Sequence, residues 1–222
     1  MRITRVLAPL VAAASLLVAG AQTSSAADAT LVPETGFATP EQEKRLQEEL
    51  AQSKPVIATY KGRKINLSDG WQGAQACSEL QDGSVQCYAT TQEADQAAAK
   101  LAATQQGSSA SRSLAKEATI FGPTAATDCA YGWVCFWEHS DYTGRRLQWS
   151  AKGTKNFGDW GFRDQASAAC VKRDMQGVLA YDARTLQMDP FMALGNLGCY
   201  KFPNASYPGG GTWNDKVDYI EM

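Results

Sequence analysis

The chain has 222 residues, 44% of them hydrophobic and 20% charged, with 21 Lys and Arg against 23 Asp and Glu and a formal net charge of −2. In runs such as QEKRLQEEL the two signs alternate, so the clustered cations that a phosphate-tracking surface needs are missing and nucleic acid is excluded as the partner. Length alone permits one or two domains.

At the start of the chain Arg2 and Arg5 precede an apolar run from Val6 to Val18, and Ser25, Ala26 and Ala27 offer small residues for cleavage. Residues 1–27 therefore read as a signal peptide. The run is shorter than the roughly 20 apolar residues of a membrane-spanning helix, which favours export over retention. All six cysteines follow it, in a compartment where disulfides persist. Chain proximity favours Cys77 with Cys87 and Cys129 with Cys135, leaving Cys170 for Cys199. Zinc fits poorly, since there is no C-x2-C pair and His139 is the single histidine.

Residues 28–54 hold a short helical segment. Thr39 is its N-cap, Pro40 its first position and Gln42 the partner in a capping box, while Pro55 stops the run. Leu46 and Leu50, four apart, give it one docking face. Residues 55–103 read as a small α+β module: VIATYKGRKINL turns at Lys61-Gly62-Arg63, a second hairpin turns at Gln81-Asp82-Gly83 between Cys77 and Cys87, and TTQEADQAAAKLAA opens on a Thr90/Glu93 capping box. Residues 104–127, rich in Ser, Ala, Gly and Thr, read as a linker.

From residue 128 to 222 the composition turns aromatic and Gly-rich, with short runs VCFWE, RRLQWS, ASAACVKR, GVLAYD, GCYKF and VDYIEM, as in an antiparallel all-β domain. Trp137, Tyr142 and Gly144 are spaced for a folded hairpin. Gly144 takes a positive φ, Tyr142 lies over the turn and Trp137 packs beneath it, while the Ser167 hydroxyl is placed to tie a later strand back to the hairpin.

WEHSDYTG followed by FRDQASA resembles the βγ-crystallin Greek-key pattern, and CAYGWVCFWEHSDYTGRR resembles the secreted Streptomyces metalloproteinase inhibitor family, small disulfide-bonded crystallin-like domains. The likeness covers Cys129 to Val171 well and Met175 to Met222 loosely, with residues 28–126 outside it. FPNASYPG also fits the corner formula, but Gly209 lies too close to Asn214 for two intervening strands, so GVLAYD, GCYKF and VDYIEM are taken as the strands of an irregular second key. The resemblance implies an all-β, βγ-crystallin-like Greek-key domain behind the α+β module. It also implies a secreted inhibitor of metalloproteases, not an enzyme, whose partner is an extracellular, thermolysin-like protease, with no membrane involved.

Crystallin-type domains often hold calcium through a short Asn/Asp and Ser/Thr segment, because the ion wants six to eight oxygen ligands. Here RDQASA keeps Asp164 and Ser167 but has Arg163 in the first acidic position. NDKVDY supplies Asn214 and Asp215, with Asp218 in place of a hydroxyl. No cofactor is required on this reading, and calcium is at most an optional ligand of those five residues. His139 lacks a nucleophile and an orienting partner, so catalysis by a triad is not indicated.

An inhibitor of this type needs a preorganised exposed segment. Thermolysin-like enzymes prefer a bulky apolar residue after the scissile bond, which points to Cys170-Val171 and to the loop Ala130–Val134, including Trp133, between Cys129 and Cys135. The alternative function is a non-inhibitory extracellular module in which Trp133, Trp149, Trp160 or Trp213 stack on cell-wall carbohydrate, or calcium alone is bound.

Overall fold

In the computed structural model, residues 31–105, 129–174 and 177–222 are described. The expected signal peptide and all but the first two residues of the expected linker lie outside them. Among the described residues no helix is long and apolar enough to cross a membrane.

The described residues are mostly β-sheet with two short α-helices. Its elements in order are β1 (Glu34–Phe37), α1 (Pro40–Leu50), β2 (Ile57–Tyr60), β3 (Arg63–Asn66), β4 (Ala76–Glu79), β5 (Val85–Tyr88), α2 (Thr91–Gln105), β6 (Val134–Trp137), β7 (Arg146–Trp149), β8 (Thr154–Asn156), β9 (Ala168–Val171), β10 (Val178–Tyr181), β11 (Pro190–Leu194), β12 (Gly198–Lys201) and β13 (Tyr219–Glu221). They build a five-stranded sheet in the order β1-β11-β10-β13-β8 and an eight-stranded sheet in the order β12-β9-β6-β7-β4-β5-β2-β3.

Strand alternation sets the layers. In β10, Val178 and Ala180 face the core shared with the other sheet, whereas Leu179 and Tyr181 face outward, where α1 covers them with Leu46 and Leu50. In β6 and β9, Val134, Phe136, Ala169 and Val171 join the same shared core, and Cys135, Trp137, Ala168 and Cys170 turn to the opposite face, against Ala98 of α2. Each sheet therefore packs one face against the other sheet and part of the opposite face under a helix, while β2 and β3 keep Ile57, Arg63 and Lys64 exposed. β6, β7 and β9 have no exposed position, a pattern that loses the polar half of the alternation.

The helix starts follow their local signals. The Thr39 side chain accepts from the Gln42 amide and the Gln42 side chain accepts from the Thr39 amide, so the capping box closes both ways. At α2 the Glu93 amide donates to Thr90 Oγ1 at 3.1 Å, but the Glu93 carboxylate reaches the Ala89 amide instead of that of Thr90.

Strand pairing runs across the division expected at 104–127. β4 lies parallel to β7, with Ala76 opposite Arg146 and Glu79 opposite Trp149, and β1 lies antiparallel to β11. The Trp71 indole donates to the Trp160 carbonyl at 2.7 Å and its ring stacks on Phe162. Hairpins as short as β2–β3 and β4–β5 cannot bury an apolar face alone, and here they share one with the later strands. β1, β8 and β11 were not marked by the sequence. β8 reads TKN, and only its pairing with β13 makes it a strand. All six cysteines are bonded, as Cys77–Cys87, Cys129–Cys135 and Cys170–Cys199.

Candidate functional site

The hairpin after β6 turns at Gly144, whose φ is 76° and where a Cβ would stand 2.9 Å from the His139 ring. Trp137 and Tyr142 meet edge to face at 5.5 Å. Ser167 ties back to this hairpin through its amide, which donates to the Trp137 carbonyl at 2.9 Å. Its hydroxyl, expected to make that link, donates to Asp215 Oδ1 instead.

Asp164, Ser167, Asn214 and Asp215 line one shallow depression with Glu138, His139, Ser140 and Gln165. Their oxygens do not fit a calcium shell. The Glu138 carboxylate is paired with Arg145 at 3.0 Å, which holds it below the usual carboxylate range against the opposing effect of burial. The two oxygens of Asp215 accept from Ser167 and Asn214, and Asp218, expected beside them, is buried elsewhere with Oδ2 on the Ala183 amide. Among the described residues no group of three or more His, Cys, Asp and Glu is arranged so that it could hold a metal ion.

The two segments expected to meet a protease are drawn inward. Val134, Cys170 and Val171 lie in the middle of the eight-stranded sheet and are fully buried, and Val134 is directly opposite Val171. The main chain beside them is occupied as well: the Lys172 amide donates to the Trp133 carbonyl and the Gly132 amide to the Lys172 carbonyl. Cys170-Val171 is thus removed from any surface that a cleft could reach, because the apolar residue that suited a protease pocket also suits the core. In the loop after Cys129 the Trp133 ring joins the cluster under α2, and Tyr131 alone projects, 63% exposed, with its hydroxyl donating to Asp174.

The tryptophans give no stacking platform for carbohydrate. Trp133, Trp149, Trp160 and Trp213 are all buried, as are Trp71 and Trp137. Their rings fill the two apolar clusters around the eight-stranded sheet, with Trp149 stacked on Phe157 and edge-on to Trp160.

Sequence reasoning passed over two buried aspartates, Asp182 and Asp189, which gather with Asp218 below the connection between β10 and β11. Asp182 accepts from the Tyr207 hydroxyl at 2.5 Å and pairs with Arg184 at 2.8 Å. Asp189 accepts from the Tyr219 hydroxyl at 2.5 Å and from the Arg184 amide at 2.6 Å, and Asp218 accepts from the Ala183 amide at 2.8 Å. Burial pushes the Asp189 carboxyl above its ordinary value and raises Asp218 to about 6, although the Ala183 amide and Arg163 work against the second shift. The signal in the sequence was the placing of Asp182 and Asp189 at strand ends around the polar stretch ARTLQM, where a carboxylate can accept free amides.

The bridged turn after Cys129, the Gly144 hairpin, β9 with Cys170 and most of the aspartate-braced connection fall in one stretch with a counterpart elsewhere. Residues 122–187 match peptidase inhibitor family I36. The family consists of inhibitors and not of enzymes. Comparison with curated proteins and with solved structures returns no match.

Proposed function

We propose that the protein is an exported inhibitor of extracellular peptidases, directed at metallopeptidases of the thermolysin type, on a crystallin-like Greek-key scaffold. The observation that carries this reading is the family I36 match over residues 122–187. Export is supported by three disulfides, which persist in oxidising compartments. The crystallin-like assignment is supported by the positive φ at Gly144 and by the edge-on pair Trp137 and Tyr142. A core shared by the two sheets suits an inhibitor, because a stiff scaffold leaves little ordering cost to be met on binding.

The test is a panel of thermolysin, a serine peptidase and a cysteine peptidase titrated with the oxidised, full chain. Stoichiometric inhibition of thermolysin with the other two untouched is the expected result. Inhibition of the serine peptidase alone would keep the inhibitor and remove the metallopeptidase, and activity unchanged across the panel would remove both.

A further inference from the structure

An inhibitor must offer its target a length of chain that stands clear of its own fold and holds its shape. We propose that this length is the loop Ala183–Met188 between β10 and β11, with Leu186 as the side chain that enters the apolar specificity pocket of the peptidase. The assignment rests on the inhibitor reading and names its contact site.

Exposure marks the loop first. Arg184–Met188 is a run of five exposed residues between buried Asp182 and Asp189, and it carries Leu186, 100% exposed, beside Met188, 39% exposed. Single exposed aliphatics are ordinary, but this one also has φ 66°, a left-handed backbone that a branched side chain resists. No packing of its own side chain holds Leu186 in that conformation, since it is fully in solvent. The geometry is imposed from the ends of the loop.

Those ends are held from several sides. The Ala183 amide donates to Asp218, the Arg184 amide to Asp189, and the Arg184 guanidinium bridges Asp182 and the Tyr207 hydroxyl. The Asp182 amide closes the base on the Pro190 carbonyl. On the far side the Asp189 amide donates to Glu43 of α1 at 3.1 Å and its carbonyl accepts from the Ala38 amide at 2.8 Å, so the segment ahead of β2 buttresses the loop. These bonds grip the main chain at Asp182–Arg184 and at Asp189, and the side chains of Thr185–Met188 are left projecting into solvent.

The loop is also tethered. Cys170 and Cys199 lie on either side of it in sequence and are bonded to each other, and β10 and β11 pair from Val178 opposite Leu194 to Tyr181 opposite Phe191. A peptidase that cut the loop would leave both new ends covalently and sterically in place, which favours continued occupation of the cleft over release. Ala130–Trp133 is bridged by Cys129 and Cys135 but does not stand clear of the fold: its large side chain Trp133 is in the core and its Gly132 amide is spent on Lys172.

The experiment compares inhibition of thermolysin by the full chain, by Leu186→Gly and by Tyr131→Ala. Glycine takes a positive φ without strain, so Leu186→Gly removes the side chain and leaves the fold intact, and its melting temperature should equal or exceed that of the parent. The expected result is inhibition weaker by about 30-fold or more for Leu186→Gly and changed by less than about twofold for Tyr131→Ala. If the parent inhibits thermolysin and Leu186→Gly inhibits it equally well, the loop is wrongly assigned and the inhibitor reading stands. If the parent leaves every peptidase of the panel untouched, both fall.

Discussion

Two turns of this protein are held in place by different means. Ala130–Trp133 lies inside the Cys129–Cys135 bridge, whereas Asp182–Asp189 has no bridge of its own and is braced by buried carboxylates. The bridged turn sends its largest side chain into the core, and the carboxylate-braced one keeps Leu186 and Met188 outside. The reason lies in what each device grips. A disulfide fixes side chains of flanking residues and leaves the intervening ones to pack where they gain most, and for an indole that is a neighbouring apolar cluster. Carboxylates that accept backbone amides fix the main chain, so the side chains above them are turned to solvent.

Four measurements bear on that contrast, taken from the largest expected effect to the smallest. Replacing Cys170 and Cys199 with Ala should cost about 2–5 kcal/mol by urea unfolding, since the bond closes a long stretch of chain. Asp189→Ala should cost about 2–3 kcal/mol, because it strands the Tyr219 hydroxyl and the Arg184 amide in a buried site. It should also weaken inhibition of thermolysin, and unchanged inhibition would show that the brace does not position the loop. Removing Cys129 and Cys135 together should cost about 2 kcal/mol for their shorter loop and leave inhibition within about twofold. Loss of inhibition there would return the contact to Ala130–Trp133.

The fourth is a pH dependence. Burial, opposed by the Ala183 amide and Arg163 and reinforced by Asp164 and Asp182, raises Asp218 from 3.8 to about 6. A folded-state value above the unfolded one means that the protonated form is favoured by folding. The contribution of Asp218 to stability is therefore complete below about pH 3.8 and is lost as pH rises to about 6. The melting temperature of the parent minus that of Asp218→Asn should fall between pH 4 and pH 7, as followed by circular dichroism. A flat difference would mean that Asp218 titrates in the fold as it does in the unfolded chain.

Much of the fold was legible locally. Thr39 and Gln42 announce α1 because capping is settled within one turn of chain, and Gly144 marks its hairpin because no Cβ fits there. Chain proximity marks Cys77–Cys87, across one hairpin, and Cys129–Cys135, across one short turn, and leaves Cys170–Cys199, which sit opposite each other on the paired strands β9 and β12. The apolar run ASAACVKR was equally legible as a strand, but whether Val171 faced a partner or the interior depended on β6 and β12 lying to either side of it. β8 and β11 depended in the same way on edges supplied by β13, β10 and β1.

Caps, turns, bridges and the inhibitor-like stretch were written in short-range patterns, where a few residues settle the backbone and the cysteine partners. Burial of Val171, the merging of early and late strands into one sheet, and the convergence of Asp182, Asp189 and Asp218 beneath Leu186 came from packing between segments far apart in the chain. Hydrophobic burial and amide-to-carboxylate bonding act on whatever surfaces the completed sheets bring together, and no local window of residues contains that information.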